Sequence, residues 1–367
     1  MKIVYITPSS FPSQAAHSIQ IFKMCSAFIT AGHQVLLICS DCKQNELKSF
    51  YGVSNSPEIK TLRLLKIKGG ERLFSFFGGV IARLRNYDLV YTRSISAGYF
   101  ALFFGLKVVY ESHTSEAFHG RLTQFFWRAL QRHPNCKRIV TISQQLAKDS
   151  HYAHARDKII VAHDGADLSE RTSGIKTAST ELLTERLKVG YAGNFYPGKG
   201  LEIISELSEI CLFADFYLIG GSEKEFAKWE KKFANLKNVN FLGAKPPGEV
   251  AQTLSNFDVL ILPCRPPVED CSGKDISVGM SPLKLFEYMS AARPIIASNL
   301  PSIREVLEHG KTAILCDPNQ ILEWKTALED LYHNPELRRL LSLGALELLQ
   351  SQYTWQTRAN KVLNGIC

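Results

Sequence analysis

The chain has no apolar run long enough to cross a membrane. Its longest, Ser96 to Leu106, stops at Lys107, about half the ~20 residues that a spanning helix needs. It also has no signal-peptide pattern. Lys2 runs straight into IVYIT and PSSFPS, a strand and a loop, so a cytoplasmic location is expected. Nine cysteines (Cys25, Cys39, Cys42, Cys136, Cys211, Cys264, Cys271, Cys316 and Cys367) are scattered along 367 residues, which is no disulfide framework. Cys39 and Cys42 form a single C-x-x-C at a strand end, and there is no second pair to complete a zinc site. There is no paired-histidine spacing, no Asp-x-Asp cluster, no Walker A loop and no G-x-G-x-x-G. No metal or other cofactor is expected. No basic run is interleaved with aromatics, so nucleic acid is not an expected partner.

What is present describes a folded chain of two domains. Hydrophobic residues make up 45% and charged residues 21%, a balance that excludes disorder, and the length exceeds one ordinary core. The net charge of +8 is uneven. Up to Leu168 there are 21 Lys+Arg against 11 Asp+Glu, and beyond it 22 against 24. A basic first half suits an anionic partner, such as lipid headgroups or a phosphorylated acceptor, as well as plain solvation.

Short apolar strands alternate with helices throughout. KIVYITP, HQVLLICS, LVYTR, KVVYESH, RIVTIS and KIIVAHDGAD read as strands of the first half, with helices at Ser18 to Thr30, FFWRALQRH and SQQLAKDS between them. The second half repeats the plan with LKVGYAG, DFYLIGG, VNFLG, VLILP, PIIAS and AILCD. This pattern predicts two parallel sheets, each covered by helices on both faces. The boundaries expected are 1–168, 169–351 and a C-terminal helix at 352–367 that crosses back to the first domain. The polar segment Ser169 to Thr184 is the expected connection. Ligands of such sheets bind beyond the carboxyl ends of the strands.

Two loops there carry chemistry. In YAGNFYPGKGLEII a strand runs into Gly193, Asn194, Gly198, Lys199 and Gly200, and then into a helix. Glycines, a helix start and a lysine suit a phosphate, although a glycine-rich turn with a solvated lysine has the same composition. In SPLKLFEYMSAARP, Ser281 is positioned to cap a helix with Pro282 as its first residue. Lys284 then sits in the first turn, where a cation opposes the helix dipole unless an anion is bound. Glu287 lies among Leu283, Leu285, Phe286, Tyr288 and Met289. A carboxylate there can accept two hydrogen bonds from a ribose diol, or it can pair with Lys284.

These segments together resemble glycosyltransferase family 4, the retaining nucleotide-sugar enzymes of the GT-B fold, in which two Rossmann-like domains with parallel sheets face a cleft. The resemblance runs through most of the chain and is strongest from Leu187 to Pro318, with ESH at 111–113 and IVTISQQLAKDS adding to it in the first half. It implies transfer of a sugar from a UDP-, GDP- or ADP-linked donor to a hydroxyl of a glycan or lipid-linked acceptor, with retention, in cell-surface polysaccharide or glycolipid synthesis. It also implies roles. Glu287 holds the ribose; Lys199 contacts the diphosphate; Gly243, Ala244 and Lys245 lie against the base; His113 contacts the transferring sugar. Gly193, Asn194, Gly221, Arg265, Gly279, Met280, Ser281, Pro282, Leu283 and Lys284 complete the donor site. Ser9, Ser10, His17 and Ser18 belong to a loop near phosphates and acceptor.

There are three departures from the family pattern. Gly279 stands where the first acid of Glu-x7-Glu is expected, with Glu269, Asp270 and Asp275 as nearby substitutes. Asn194 replaces an arginine, whose charge Lys284 or Arg265 would supply. The first loop, Ser13-Gln14-Ala15-Ala16-His17, lacks the usual glycine pair. Alternatives that share the fold are a nucleotide-sugar epimerase and a non-catalytic binder or partner subunit. The segment Arg72 to Arg85 is either a contact for an anionic membrane surface or an internal helix.

Overall fold

The computed structural model describes residues 1–43, 45–63, 70–114, 120–168, 185–270 and 273–366. The expected connection at 169–184, Cys271 and Cys367 lie outside them. The chain divides into two compact units, Met1–Asp164 with Trp355–Cys367, and Gly165–Thr354.

The first unit is built on β1 (Lys2–Ile6), β2 (Ser10–Phe11), β3 (Gln34–Cys39), β4 (Asp41–Cys42), β5 (Glu58–Thr61), β6 (Leu89–Thr92), β7 (Lys107–Ser112), β8 (Cys136–Thr141) and β9 (Ile159–Val161). Seven of these form one sheet in the order β5-β3-β1-β6-β7-β8-β9, and β2 pairs with β4. Every pairing is parallel. The central strands are buried along their length, save the exposed first residues Lys2 of β1 and Lys107 of β7, because helices cover both faces. Those helices are α1 (Ala16–Thr30), α2 (Leu47–Tyr51), α3 (Gly70–Leu84), α4 (Ile95–Phe103), α5 (Arg121–Arg132) and α6 (Gln144–Ala147). Val4, Ile6, Leu36, Val90, Val108 and Ile139 meet Phe74, Ala101, Phe126 and Trp127 in the core.

The second unit carries β10 (Leu187–Ala192), α7 (Leu201–Ile210), β11 (Ala214–Ile219), α8 (Glu223–Phe233), β12 (Val239–Gly243), α9 (Pro247–Leu254), β13 (Val259–Leu262), α10 (Leu283–Ser290), β14 (Ile295–Ser298), α11 (Pro301–Arg304), β15 (Ile314–Cys316), α12 (Ile321–His333) and α13 (Pro335–Gln352). Its parallel sheet runs β12-β11-β10-β13-β14-β15. Strand order reverses between β10 and β13, so the loops that leave these two strands diverge and open a crevice at their carboxyl ends.

The last helix, α14 (Trp355–Leu363), belongs to the first unit and packs on α1. Its final carbonyls have no partner within the helix. Arg138 supplies one, donating to the carbonyls of Lys361 (3.1 Å), Val362 (3.0 Å) and Asn364 (2.8 Å). A cation at a helix C-terminus also complements the dipole. No helix among the described residues is long and apolar enough to cross a membrane.

Candidate active site

In the second unit, the loops after β10 and β13 are locked together. The amide of Arg265 donates to Gly198 O at 3.0 Å, and that of Glu269 to Pro197 O at 3.1 Å. Gly200, the residue before α7, has φ +109°, and a Cβ there would lie 2.3 Å from Pro263 O. A Cβ on Gly198 would lie 2.0 Å from Pro267 O. These two glycines therefore serve the close approach of one loop to the other rather than the approach of backbone to an anion.

The loop packing presents two lysines. Lys284, in the first turn of α10, lays its ammonium 4.3 Å from the centre of the Tyr191 ring and 3.2 Å from Tyr191 Oη. A Cβ on Gly193 would sit 3.2 Å from that ammonium, so a glycine leaves it room. Burial, and Lys199 beyond it, lower the pKa of Lys284 to about 8, against the pull of Cys264 and Glu287. Burial lowers Lys199 as well. Neither ammonium has a carboxylate within ion-pair distance among the described residues. Two mutually repelling cations, one held over the Tyr191 ring, suit a multiply charged anion.

The supporting residues are fixed from below. The Tyr288 hydroxyl, one turn along α10 from Lys284, accepts from the Ala192 amide at 2.8 Å, and Tyr191 Oη donates to Asn194 O at 2.8 Å. Gly193 N donates to Ile219 O and Gly220 N to Gly243 O, each at 2.9 Å, so the ends of β10, β11 and β12 lie side by side. Ala244 is exposed and Lys245 half-buried beyond that rim. Gly221 lies against the Phe195 ring. Glu287 is half-buried, about one turn beyond Lys284.

Several expectations change. Pro282 is the N-cap of α10, not its first residue, and the helix starts at Leu283 with no side-chain cap. Met280 is buried in the core, so only its backbone is open to a donor, and Leu283 is half-buried beside it. Arg265 does not supply a diphosphate charge, because its guanidinium pairs with Glu206 at 2.8 Å and Pro318 O at 2.9 Å. Gly279 lies in a turn. Of the acids near it, Asp275 ties its own loop, accepting from the amides of Ser277 (2.9 Å) and Val268 (3.2 Å) and from the Ser277 hydroxyl. Asp270 accepts from Lys274 N at 3.1 Å. Glu269 is half-buried and its backbone bridges to that of Asp275.

In the first unit, the loop after β1 and the ends of β6 and β7 meet at the corresponding crevice. The hydroxyls of Ser9 and Ser10 bond Thr7 (2.9 Å) and Ser40 (3.0 Å), His17 is exposed on the first turn of α1, and Ser18 is fully buried. Ser18 is thus out of reach of an acceptor. His113, whose side chain is 15% exposed, bonds Glu111 Oε1 through Nε2 at 2.6 Å. Burial and then Arg93 push His113 down to about 4, against the pull of Glu111.

Glu111 is the centre of a buried network that sequence reasoning missed. Gln20 Nε2 donates to it at 2.6 Å, Tyr91 Oη donates to it, and Arg358 of α14 clamps both its oxygens at 2.9 and 3.2 Å. Burial raises the Glu111 pKa, but Arg358 and His113 outweigh it and hold the carboxyl far below its ordinary range. Asp164, 3.8 Å from Arg358, is pushed up to about 7 by burial. The ligand atoms of Glu111, His113 and Asp164 lie within 4.8 Å of one another. The guanidinium already supplies the positive charge there, and a metal ion would have to displace it. Arg93, half-buried at the end of β6, bonds only the neutral Gln20 amide oxygen, at 3.3 Å, among the described residues.

The two domains are Rossmann-like, and one carries a lysine pair at its topological switch point. A family model described as Glycosyltransferase Family 4 matches residues 18–170, and one described as Glycosyl transferases group 1 matches 186–334. The chain belongs to glycosyltransferase family 4, and its fold is GT-B. It is similar to an uncharacterized glycosyltransferase, MJ1178, of Methanocaldococcus jannaschii, 27% identical over 168 residues that make up 45% of this chain and 44% of that one. It is also similar to the sulfoquinovosyl transferase SQD2 of Arabidopsis thaliana, 26% identical over 49% of this chain and 33% of that one. A D-inositol 3-phosphate glycosyltransferase of Paenarthrobacter aurescens is 24% identical over 57% and 52%. The chain thus spans about a third to a half of the curated relatives it matches. Among solved structures, Anabaena Alr3699/HepE in complex with UDP and glucose superposes with a TM-score of 0.71 at 15% identity, covering 100% of this chain and 99% of that one. WaaG, a glycosyltransferase involved in lipopolysaccharide biosynthesis, superposes at 0.69 and 12%, covering all of both chains.

Proposed function

We propose that the protein transfers a sugar from a nucleotide-sugar donor to an acceptor hydroxyl. The observation that carries this reading is the Lys199–Lys284 pair, two cations without a carboxylate partner among the described residues at the carboxyl end of a Rossmann-like sheet. Bond cleavage at the anomeric carbon leaves a nucleoside diphosphate, and its growing charge falls where these ammoniums stabilise it without the help of a metal ion. Glu287 accepts the ribose hydroxyls, and the rim at Gly243, Ala244 and Lys245 holds the base. Glu269 takes the role of the acid missing at Gly279. His113 orients the sugar, and the acceptor attacks from the face that the leaving group departs, with retention. The UDP and glucose in the Anabaena structure are consistent with such a donor.

The acceptor is a glycan or lipid-linked sugar of the cell surface, reached at an anionic membrane. Leu73, Phe77 and Leu84 of α3, Phe103 at the end of α4, and Leu122 and Phe125 of α5 are exposed apolar side chains, with the exposed Arg72, Arg121 and Arg128 on the same helices. Such a surface suits partial insertion among anionic headgroups. Incubation with UDP-, GDP- and ADP-sugars tests the activity. Nucleoside diphosphate appearing with acceptor-dependent turnover is expected. Release of an epimerised free sugar would favour an epimerase, and no release with any donor and acceptor would favour a binding subunit.

A further inference from the structure

We infer that Arg358, acting through Glu111, is a positioning residue that fixes His113 as its Nε2–H tautomer with Nδ1 presented as a hydrogen-bond acceptor. The inference deepens the transferase reading, in which His113 meets the sugar, but the geometry stands apart from it. An ionised carboxylate can only accept, so the 2.6 Å contact requires His113 Nε2 to carry the proton. With the ring neutral, Nδ1 keeps its lone pair. His113 makes no other hydrogen bond among the described residues, so Nδ1 is left to accept from a ligand hydroxyl.

The arrangement is over-determined on the other side. Arg358 is 2% exposed, and all five of its N–H groups have directions to go. They meet Glu111 Oε1 and Oε2, His163 O (2.8 Å), Ala162 O (3.1 Å) and Met24 Sδ (3.3 Å). Glu111 cannot rotate without breaking its bonds to Gln20, Tyr91 and Arg358 at once. Among the described residues, the charged and titratable groups around His113 are Glu111 on β7, Arg93 after β6, Arg358 on α14 and Asp164 after β9, with Tyr91 bonded to the same carboxylate. Arg358 thereby has a second effect. It neutralises much of the Glu111 charge, which would otherwise act more strongly on His113 and favour a proton on Nδ1. A protonated ring donates from both nitrogens and can no longer accept.

Long-range 1H–15N correlation spectra of the full chain labelled with 15N-histidine test this directly, with His113→Gln giving the assignment. At pH 7 the wild-type His113 is expected as the neutral Nε2–H tautomer, and it should stay neutral down to about pH 5. In Arg358→Met its titration should move upward by one pH unit or more, whereas Arg358→Lys, which keeps the charge, should restore the wild-type behaviour. Donor turnover should follow: kcat/KM nearly flat from pH 7.5 down to about pH 5 in wild type and Arg358→Lys, and about halved or lower at pH 5 in Arg358→Met. Should Arg358→Met fail to fold, Glu111→Gln serves, and both tautomers are expected there. An Nδ1–H or charged His113 in the wild type overturns the inference. So does a His113 titration unmoved in Arg358→Met, or a single Nε2–H tautomer retained in Glu111→Gln. Absence of turnover with every donor would count against the transferase reading alone, because the spectra judge the tautomer without it.

Discussion

Titrating a nucleoside diphosphate into the protein between pH 7 and 9 probes the lysine pair. In the free protein, burial and Lys199 hold Lys284 at about 8. A bound diphosphate supplies the missing counter-charge and returns the lysine toward its ordinary value of about 10.4 or above. Well below pH 8, Lys284 is charged in both states and its titration does not affect affinity. Above pH 8 the free lysine is neutral, so binding must take up a proton and affinity falls as pH rises. At pH 9 about one free molecule in eleven carries the proton, against about nine in ten at pH 7, so Kd rises about tenfold, ~1.4 kcal/mol. Calorimetry at pH 8.5 in two buffers of different ionisation enthalpy should register uptake of about three-quarters of a proton per nucleotide. Lys284→Met should abolish the uptake, flatten the profile and weaken binding at pH 7. A Kd constant from pH 7 to 9, or the same slope in Lys284→Met, refutes the reasoning.

Glu287→Ala should raise the nucleoside diphosphate Kd about 10- to 100-fold, the worth of one or two charge-assisted hydrogen bonds. An unchanged Kd removes Glu287 from the ribose. Gly200→Ala places a Cβ against Pro263 O at φ +109° and should cost about 1–3 kcal/mol in urea unfolding, with an unaltered midpoint showing that the loops are not locked as described. Flotation should be stronger with anionic than with neutral vesicles, and Phe77→Ser with Phe125→Ser should reduce it. Equal flotation on both lipids contradicts the membrane reading.

Much of the fold is legible because its cause is local. The strands KIVYI, LVYT, VLIL and IIAS are short apolar runs, and helices of clear 3.6-residue period separate most of them. Two elements are not legible in this way. The strand β5, Glu58–Thr61, has no fully buried residue and exists because the edge of β3 is available to it. The helix α4, Ile95–Phe103, is apolar on most sides, so no period marks it; only Ser94, whose hydroxyl accepts from the Ala97 amide, signals its start. At the candidate site, motif reading singles out Lys199, Lys284 and Glu287 because they stand in continuous loops and helix starts. It overvalues Arg265, whose partner Glu206 lies 59 residues earlier. The pairing is set by the packing of α7 beside the loop after β13, which no spacing records.

The same limit explains Arg358, and it changes how the C-terminal helix is understood. In the sequence this arginine is one cation in WQTRANKVL, a segment of ordinary surface composition. Its buried partner Glu111 lies 247 residues away. Removing one member of such a pair strands a buried charge, at a cost of about 3–5 kcal/mol. A return helix held only for stability could bury a leucine at position 358 at less electrostatic risk. An arginine there makes sense where the carboxylate it holds has a further task, and among the described residues bonded to Glu111 it is the His113 ring that also reaches solvent, with its side chain 15% exposed. The end of the chain thus bears on the chemistry of the first domain through two bonds, guanidinium to carboxylate and carboxylate to imidazole. The second domain uses a different device, two lysines with no carboxylate within ion-pair distance among the described residues.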